Sequence, residues 1–148
     1  MLRLPKRRRV GELDVADFWR RTGDLSPSMR DLARNFLLTG ARRSTVLSIR
    51  RADVELGRGV LRFDHMKTME EWEFPMGPHL TGMLAARMAA DEPLASEWLW
   101  PSPASRTGHV QEPRRRDGVP SPHELRHHAR TLMIAAGVDV PIRRKSKG

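Results

Sequence analysis

The chain has 148 residues, 39% of them hydrophobic, enough to bury one core and too few to favour two domains. Its 27 Lys+Arg against 18 Asp+Glu give a net charge of +9 and a pI near 11.3, an excess that suits a polyanionic partner. The absence of cysteine excludes disulfides and Cys-ligated zinc and fits a reducing, cytoplasmic setting; no stretch approaches the roughly 20 apolar residues of a membrane-spanning helix, and Lys6-Arg7-Arg8-Arg9 runs into Val10-Gly11-Glu12-Leu13-Asp14 where a signal peptide would need an apolar core.

The first helical pattern runs from about Leu13 to Arg21, with Leu13, Val15, Ala16, Phe18 and Trp19 as its apolar stripe and Arg20 and Arg21 near its C-terminal end. Ser26-Pro27, an N-cap followed by proline at the first helical position, opens a second helix whose Met29, Leu32, Ala33, Phe36 and Leu37 keep helical spacing. Gly40 is placed to end it in a left-handed cap, which turns the chain into a shorter helix through Val46, Leu47 and Ile49 and leaves Arg42 at the mouth of the turn. Val54-Glu55-Leu56 and Val60-Leu61-Arg62-Phe63 flank a Gly57-Arg58-Gly59 turn, and Glu71-Trp72-Glu73-Phe74 adds a third strand ending at Pro75. Lys67 falls in the connection before that last strand.

Pro78 opens a helix in which Leu80, Met83, Leu84 and Met88 face a core until Asp91-Glu92-Pro93 breaks it. The stretch from Pro101 to Pro122, rich in Pro, Ser, Gly and Arg, reads as a long surface loop in which Arg114-Arg115-Arg116 could meet DNA. Ser121-Pro122-His123-Glu124 is a capping box starting the last helix, which carries Leu125, Leu132, Met133 and Ala136 inward until Gly137. The fold expected is α+β, a mostly helical domain with a small three-stranded antiparallel sheet. Residues 1–11 read as a basic arm or linker remnant, 12–140 as the domain, and 141–148 as a basic tail.

Four basic residues stand out in this order: Arg42 after the glycine turn, Lys67 at the strand connection, and His123 and Arg126 three apart on one helix face. Singly, each has an ordinary explanation as a solvated, ion-paired or packed side chain. His-x-x-Arg at a helix start is the more informative pair, because free backbone N–H groups there favour an anion. A metal site built from His123, His127 and His128 is disfavoured, since adjacent histidines diverge on a helix and no carboxylate or cysteine spacing completes a tetrahedral set.

Together, Thr39-Gly40-Ala41-Arg42, Lys67-Thr68 running on to Pro75-Met76, and Ser121-Pro122-His123-Glu124-Leu125-Arg126-His127 resemble, in order and spacing, the catalytic domain of the tyrosine recombinase (phage integrase) family. Leu37-Leu38-Thr39-Gly40-Ala41-Arg42-Arg43, Pro75-Met76-Gly77-Pro78-His79-Leu80 and Ala135-Ala136-Gly137-Val138-Asp139 extend the likeness from about Glu12 to Val140. The resemblance implies that Arg42 and Arg126 clamp the non-bridging oxygens of a scissile DNA phosphate, a task suited to planar, bidentate guanidinium groups. It implies that Lys67 protonates the leaving 5′ oxygen and that His123 assists as a hydrogen-bond donor or proton carrier. It implies double-stranded DNA as partner, with other recombinase subunits beside it, and no cofactor, metal or small-molecule substrate. Lys6, Arg7, Arg8, Arg9, Arg43, Arg114, Arg115 and Arg116 are the further candidates for the phosphate backbone.

Two departures accompany the resemblance. Thr45 stands where many members carry a glutamate that supports the first arginine, and the family's later His or Trp and nucleophilic tyrosine have no counterpart, the chain having no tyrosine at all. Without a phenol the covalent phosphotyrosine step is not available in cis, so the chain is expected to be inactive alone, as a truncated recombinase domain would be. Two other readings stand beside this one: a domain that works with a neighbouring subunit's tyrosine, and a basic regulator derived from an integrase that binds DNA, RNA or protein.

Overall fold

A computed structural model describes residues 13–65, 70–113, 118–137 and 143–144, with 64–65, 70–72 and 143–144 as backbone only. The helices are α1 (Val15–Thr22), α2 (Pro27–Thr39), α3 (Arg43–Leu47), α4 (Pro78–Ala90) and α5 (Pro122–Ala135). The strands are β1 (Val54–Glu55), β2 (Val60–His65), β3 (Glu70–Pro75) and β4 (Arg143–Arg144).

The three expected strands form one antiparallel sheet in the order β1-β2-β3, with Leu61 opposite Val54 on one side and Phe74 on the other. Period-two alternation sends Leu61, Phe63, Phe74 and Met76 into the core. The two residues of β4 extend the sheet by pairing with Trp72 and Glu73. Part of the basic tail therefore adds a fourth strand, which its unpatterned Arg-Arg sequence did not announce.

Helix α2 is the spine of the domain and touches every other helix. Ser26 accepts from the Met29 N–H at its start, and Leu32, Phe36 and Leu37 are buried along it. Helix α1 is fastened to it by Arg34, which donates to Thr22 Oγ1 at 2.9 Å and to the Trp19 carbonyl at 2.7 Å while stacking 4.6 Å from the Trp19 ring. Arg20 and Arg21, as solvated charges should, both pair with Asp17 on their own helix. Val15, expected in the apolar stripe, is 41% exposed, and Phe18 is the residue of α1 that reaches the core.

Helices α2 and α4 meet across a buried ion pair, Arg87 Nη1 to Asp31 Oδ2 at 3.3 Å, with Asp91 completing the guanidinium's partners. Met83 and Met88 lie against the core beside the fully buried Leu84, as their spacing predicts. The Pro101–Pro122 stretch is more firmly placed than a free surface loop. The Ser102 N–H donates to the Gly108 carbonyl at 2.8 Å, Ser105 Oγ donates to the His109 carbonyl at 2.6 Å, and Val110 and Val119 pack on the core.

On α5, Leu125 and Ala129 are buried, and Leu132 and Met133 pack more loosely against the core. Ala136, expected to point inward, is exposed. It follows the last turn of α5 and sits on the rim of a shallow apolar groove shared with Val15, Trp19 and Leu38.

Candidate functional site

The site is built around the end of α2. Thr39 Oγ1 donates to the Asn35 carbonyl and accepts from the Ala41 N–H, which steers the chain off the helix. Gly40 takes φ 65° and ψ 13°, a left-handed cap whose N–H donates back to Phe36. A Cβ there would stand 3.1 Å from the Ala129 Cβ on α5, so glycine serves both the backbone turn and the close approach of two helices. Ala41 is buried, and Arg42 emerges exposed as the residue preceding α3.

Helix α5 supplies the opposite wall. Ser121 Oγ accepts from the Glu124 N–H at 3.2 Å and the Glu124 carboxylate accepts from the Ser121 N–H at 3.1 Å, so the capping box read from the sequence is formed. That box occupies the Glu124 N–H, one of the helix-start donors expected to be free for an anion. Arg126, half-buried, donates through Nε to the Gly40 carbonyl at 3.2 Å. Its pKa is held below the ordinary value by burial first, then by the like charges of Arg130 and Arg42. Arg42 and Arg126, far apart in the chain, therefore share one electropositive neighbourhood. Among the described residues neither has a carboxylate partner, whereas the adjacent Arg43 is paired with Glu112 at 2.7 Å.

His123 is exposed on the same helix, its ring edge-on to that of His127 with centroids 5.6 Å apart. His128 points the other way: it is 7% exposed, its Nδ1 has no hydrogen-bond partner, and burial pushes its pKa down. The adjacent His127 and His128 thus diverge while His123 and His127 stay in ring contact, and no group of His, Asp and Glu able to hold a metal occurs among the described residues. Lys67 lies outside the described residues, as do Lys6, Arg7, Arg8, Arg9, Arg114, Arg115 and Arg116. Thr45 is half-buried and lines a groove with Ser48, Arg50 and Arg62. Sequence reasoning missed Arg130, one turn beyond Arg126; its signal was the i, i+4 spacing of two arginines.

A helix-capping glycine thus brings Arg42 within electrostatic reach of Arg126 on a distant helix, and that helix also carries the exposed His123. The sequence profile of the phage integrase family matches residues 26–145, and the chain belongs to that family. Among solved structures, the crystal structure of XerA recombinase superposes with a TM-score of 0.70 at 14% identity, over 91% of this chain and 54% of that one. The integrase from mycobacterium phage Brujita superposes with a TM-score of 0.66 at 18% identity, over 94% of this chain and 47% of that one. At these identities the likeness is one of fold, and the chain spans about half the length of either protein. No curated protein matches it. No described helix is long and apolar enough to cross a membrane.

Proposed function

We propose that this chain is the phosphate-holding part of a site-specific recombinase catalytic domain, binding double-stranded DNA with Arg42 and Arg126 on the non-bridging oxygens of one phosphate. The observation that supports it is the electrostatic proximity of these two side chains, neither with a carboxylate partner among the described residues, where most other described arginines are paired with one. Like charges held together at a surface raise the free energy of the empty site, and a phosphate relieves that repulsion while accepting charge-assisted hydrogen bonds from both forks.

In this reading the Gly40 carbonyl orients Arg126 by occupying Nε, which leaves the two terminal nitrogens of the guanidinium for the ligand. His123 stands on the same helix face within reach of the same anion and donates a proton or hydrogen bond to it, and Lys67, by its resemblance to the family's sheet lysine, serves the leaving oxygen. The sequence has no tyrosine, so strand cleavage by this mechanism needs a phenol supplied from outside these 148 residues. The test is duplex binding at low salt by the chain and by Arg42→Ala/Arg126→Ala. Loss of most of the affinity in the double variant is expected, with the thermal unfolding temperature preserved. Unchanged binding would instead favour a regulator that uses another surface.

A further inference from the structure

The arginines of this chain are sorted by their surroundings. Arg20 lies against Asp17, Arg43 against Glu112, Arg51 against Glu92, Arg58 against Glu55 and Glu73, and Arg87 against Asp31 and Asp91. Arg130, like Arg42 and Arg126, has no such partner among the described residues, and it is exposed. Arg106 and Arg34 also lack one, but Arg106 lies in the Pro101–Pro122 loop and Arg34 is half-buried on α2 against Thr22 and Trp19, so neither is on α5.

Arg130 follows Arg126 by four residues on α5, and side chains at that spacing lie one above the other on one face of a helix. Its charge bears on Arg126 more strongly than that of Arg42 does. The face continues backward through His127 to His123, both exposed. A stripe of exposed cationic and polar groups thus runs along α5 past the Arg42–Arg126 pair, with no acidic side chain of the described residues set against Arg126 or Arg130. A single phosphate at Arg42 and Arg126 leaves the Arg130 charge uncompensated. A nucleic-acid strand, which presents phosphates in succession, does not.

We propose that Arg130 binds the DNA phosphate next along the strand from the one held by Arg42 and Arg126, so that α5 grips two successive phosphates of one strand. This rests on the reading of Arg42 and Arg126 given above. One phosphate fixes a point, whereas two fix the direction in which the strand crosses the helix, which makes Arg130 a positioning residue.

The salt dependence of binding to a short duplex of mixed sequence tests it. The chain is compared with Arg130→Gln, Arg130→Lys, Arg42→Ala/Arg126→Ala, and Arg58→Gln as a control on the sheet, each checked by thermal melting. The slope of log affinity against log salt should fall by about 0.9 in Arg130→Gln, the signature of one lost phosphate contact. It should be retained in Arg130→Lys and in Arg58→Gln. An unchanged slope in Arg130→Gln, with a lowered one in the Arg42/Arg126 variant, overturns the role of Arg130 and leaves the earlier reading standing. Unchanged binding in the Arg42/Arg126 variant overturns both.

Discussion

Arg126 Nε donates to the main-chain carbonyl of Gly40, a residue 86 positions earlier in the chain. The bond joins the C-terminal cap of α2 to the exposed face of α5, so the position of one guanidinium depends on a backbone conformation that only glycine adopts freely. Gly40→Ala should therefore affect binding and stability together. The left-handed φ of 65° costs about 1–2 kcal/mol for an alanine, and the added Cβ must displace Ala129. Denaturant unfolding should show that loss. Duplex affinity should fall by more than the folded fraction accounts for, because Arg126 moves with the cap.

The Asp31–Arg87 pair makes a separate prediction about the fold. The two side chains are only 5% and 8% exposed, and removing one member of such a pair strands a buried charge. Asp31→Asn should destabilise the domain by about 3 kcal/mol, the low end for a buried pair, since Asp91 still contacts the guanidinium. Replacing both partners with apolar residues, Asp31→Leu with Arg87→Met, should recover most of the loss in urea unfolding. Recovery would show that the ion pair specifies the α2–α4 contact more than it stabilises it.

His128 predicts a pH dependence of stability. Burial is the main cause holding its folded pKa below the ordinary 6.5; the like charge of His127 adds to this and Glu124 opposes it. The unfolded chain therefore takes up a proton before the folded one does. The stability present above pH 6.5 is lost as pH falls below that value toward the folded pKa. Thermal melting between pH 8 and pH 5, on the order of the range in which an imidazole titrates, should show a decline that His128→Leu flattens. An equal decline in both proteins would assign it to other groups.

Arg43 and Glu112 tie the start of α3 to the Pro101–Pro122 loop through an exposed pair, with side chains 48% and 77% accessible. Exposed pairs contribute about 0–1 kcal/mol, so Glu112→Gln should leave the melting temperature nearly unchanged. It frees a guanidinium next to Arg42 and removes a negative charge from the site's border. Duplex affinity at low salt should rise, with a salt slope steeper by about one phosphate contact. Weaker binding in Glu112→Gln would show instead that the loop must be tethered for the site to work.

The parts of the fold carried by local chemistry were legible in the sequence. Ser26-Pro27 and Gly40 bracket α2, Ser121-Pro122 and Glu124 start α5, and alternating residues on β2 and β3 face the core, because caps and periodicity are written within a few residues. Arg42 and Arg126 were legible only as a pair of motifs; what the structure adds is the Gly40 carbonyl that joins them. Asp31 and Asn35 gave no warning of their burial, since polar residues directly following Arg30 and Arg34 look like a solvated face. Helix α2 is covered on more than one side, so its polar positions are enclosed too, and the Asn35 side-chain amide is buried without a partner. The burial of His128 was hidden by its neighbours His123 and His127, which face outward. The pairing of Arg143 and Arg144 with β3 rests on backbone bonds, which leave no trace in side-chain pattern.

The distribution of carboxylates has an electrical consequence for the encounter with a polyanion. Asp17, Glu55, Glu92 and Asp31 are each spent on an arginine away from the α2–α5 junction, so charge over the described surface is not merely positive but polarised. Such a molecule feels a torque in the field of a duplex before it touches it. Rotation brings the uncompensated end forward during diffusion, and the fraction of collisions that begin in a productive orientation rises as ionic strength falls.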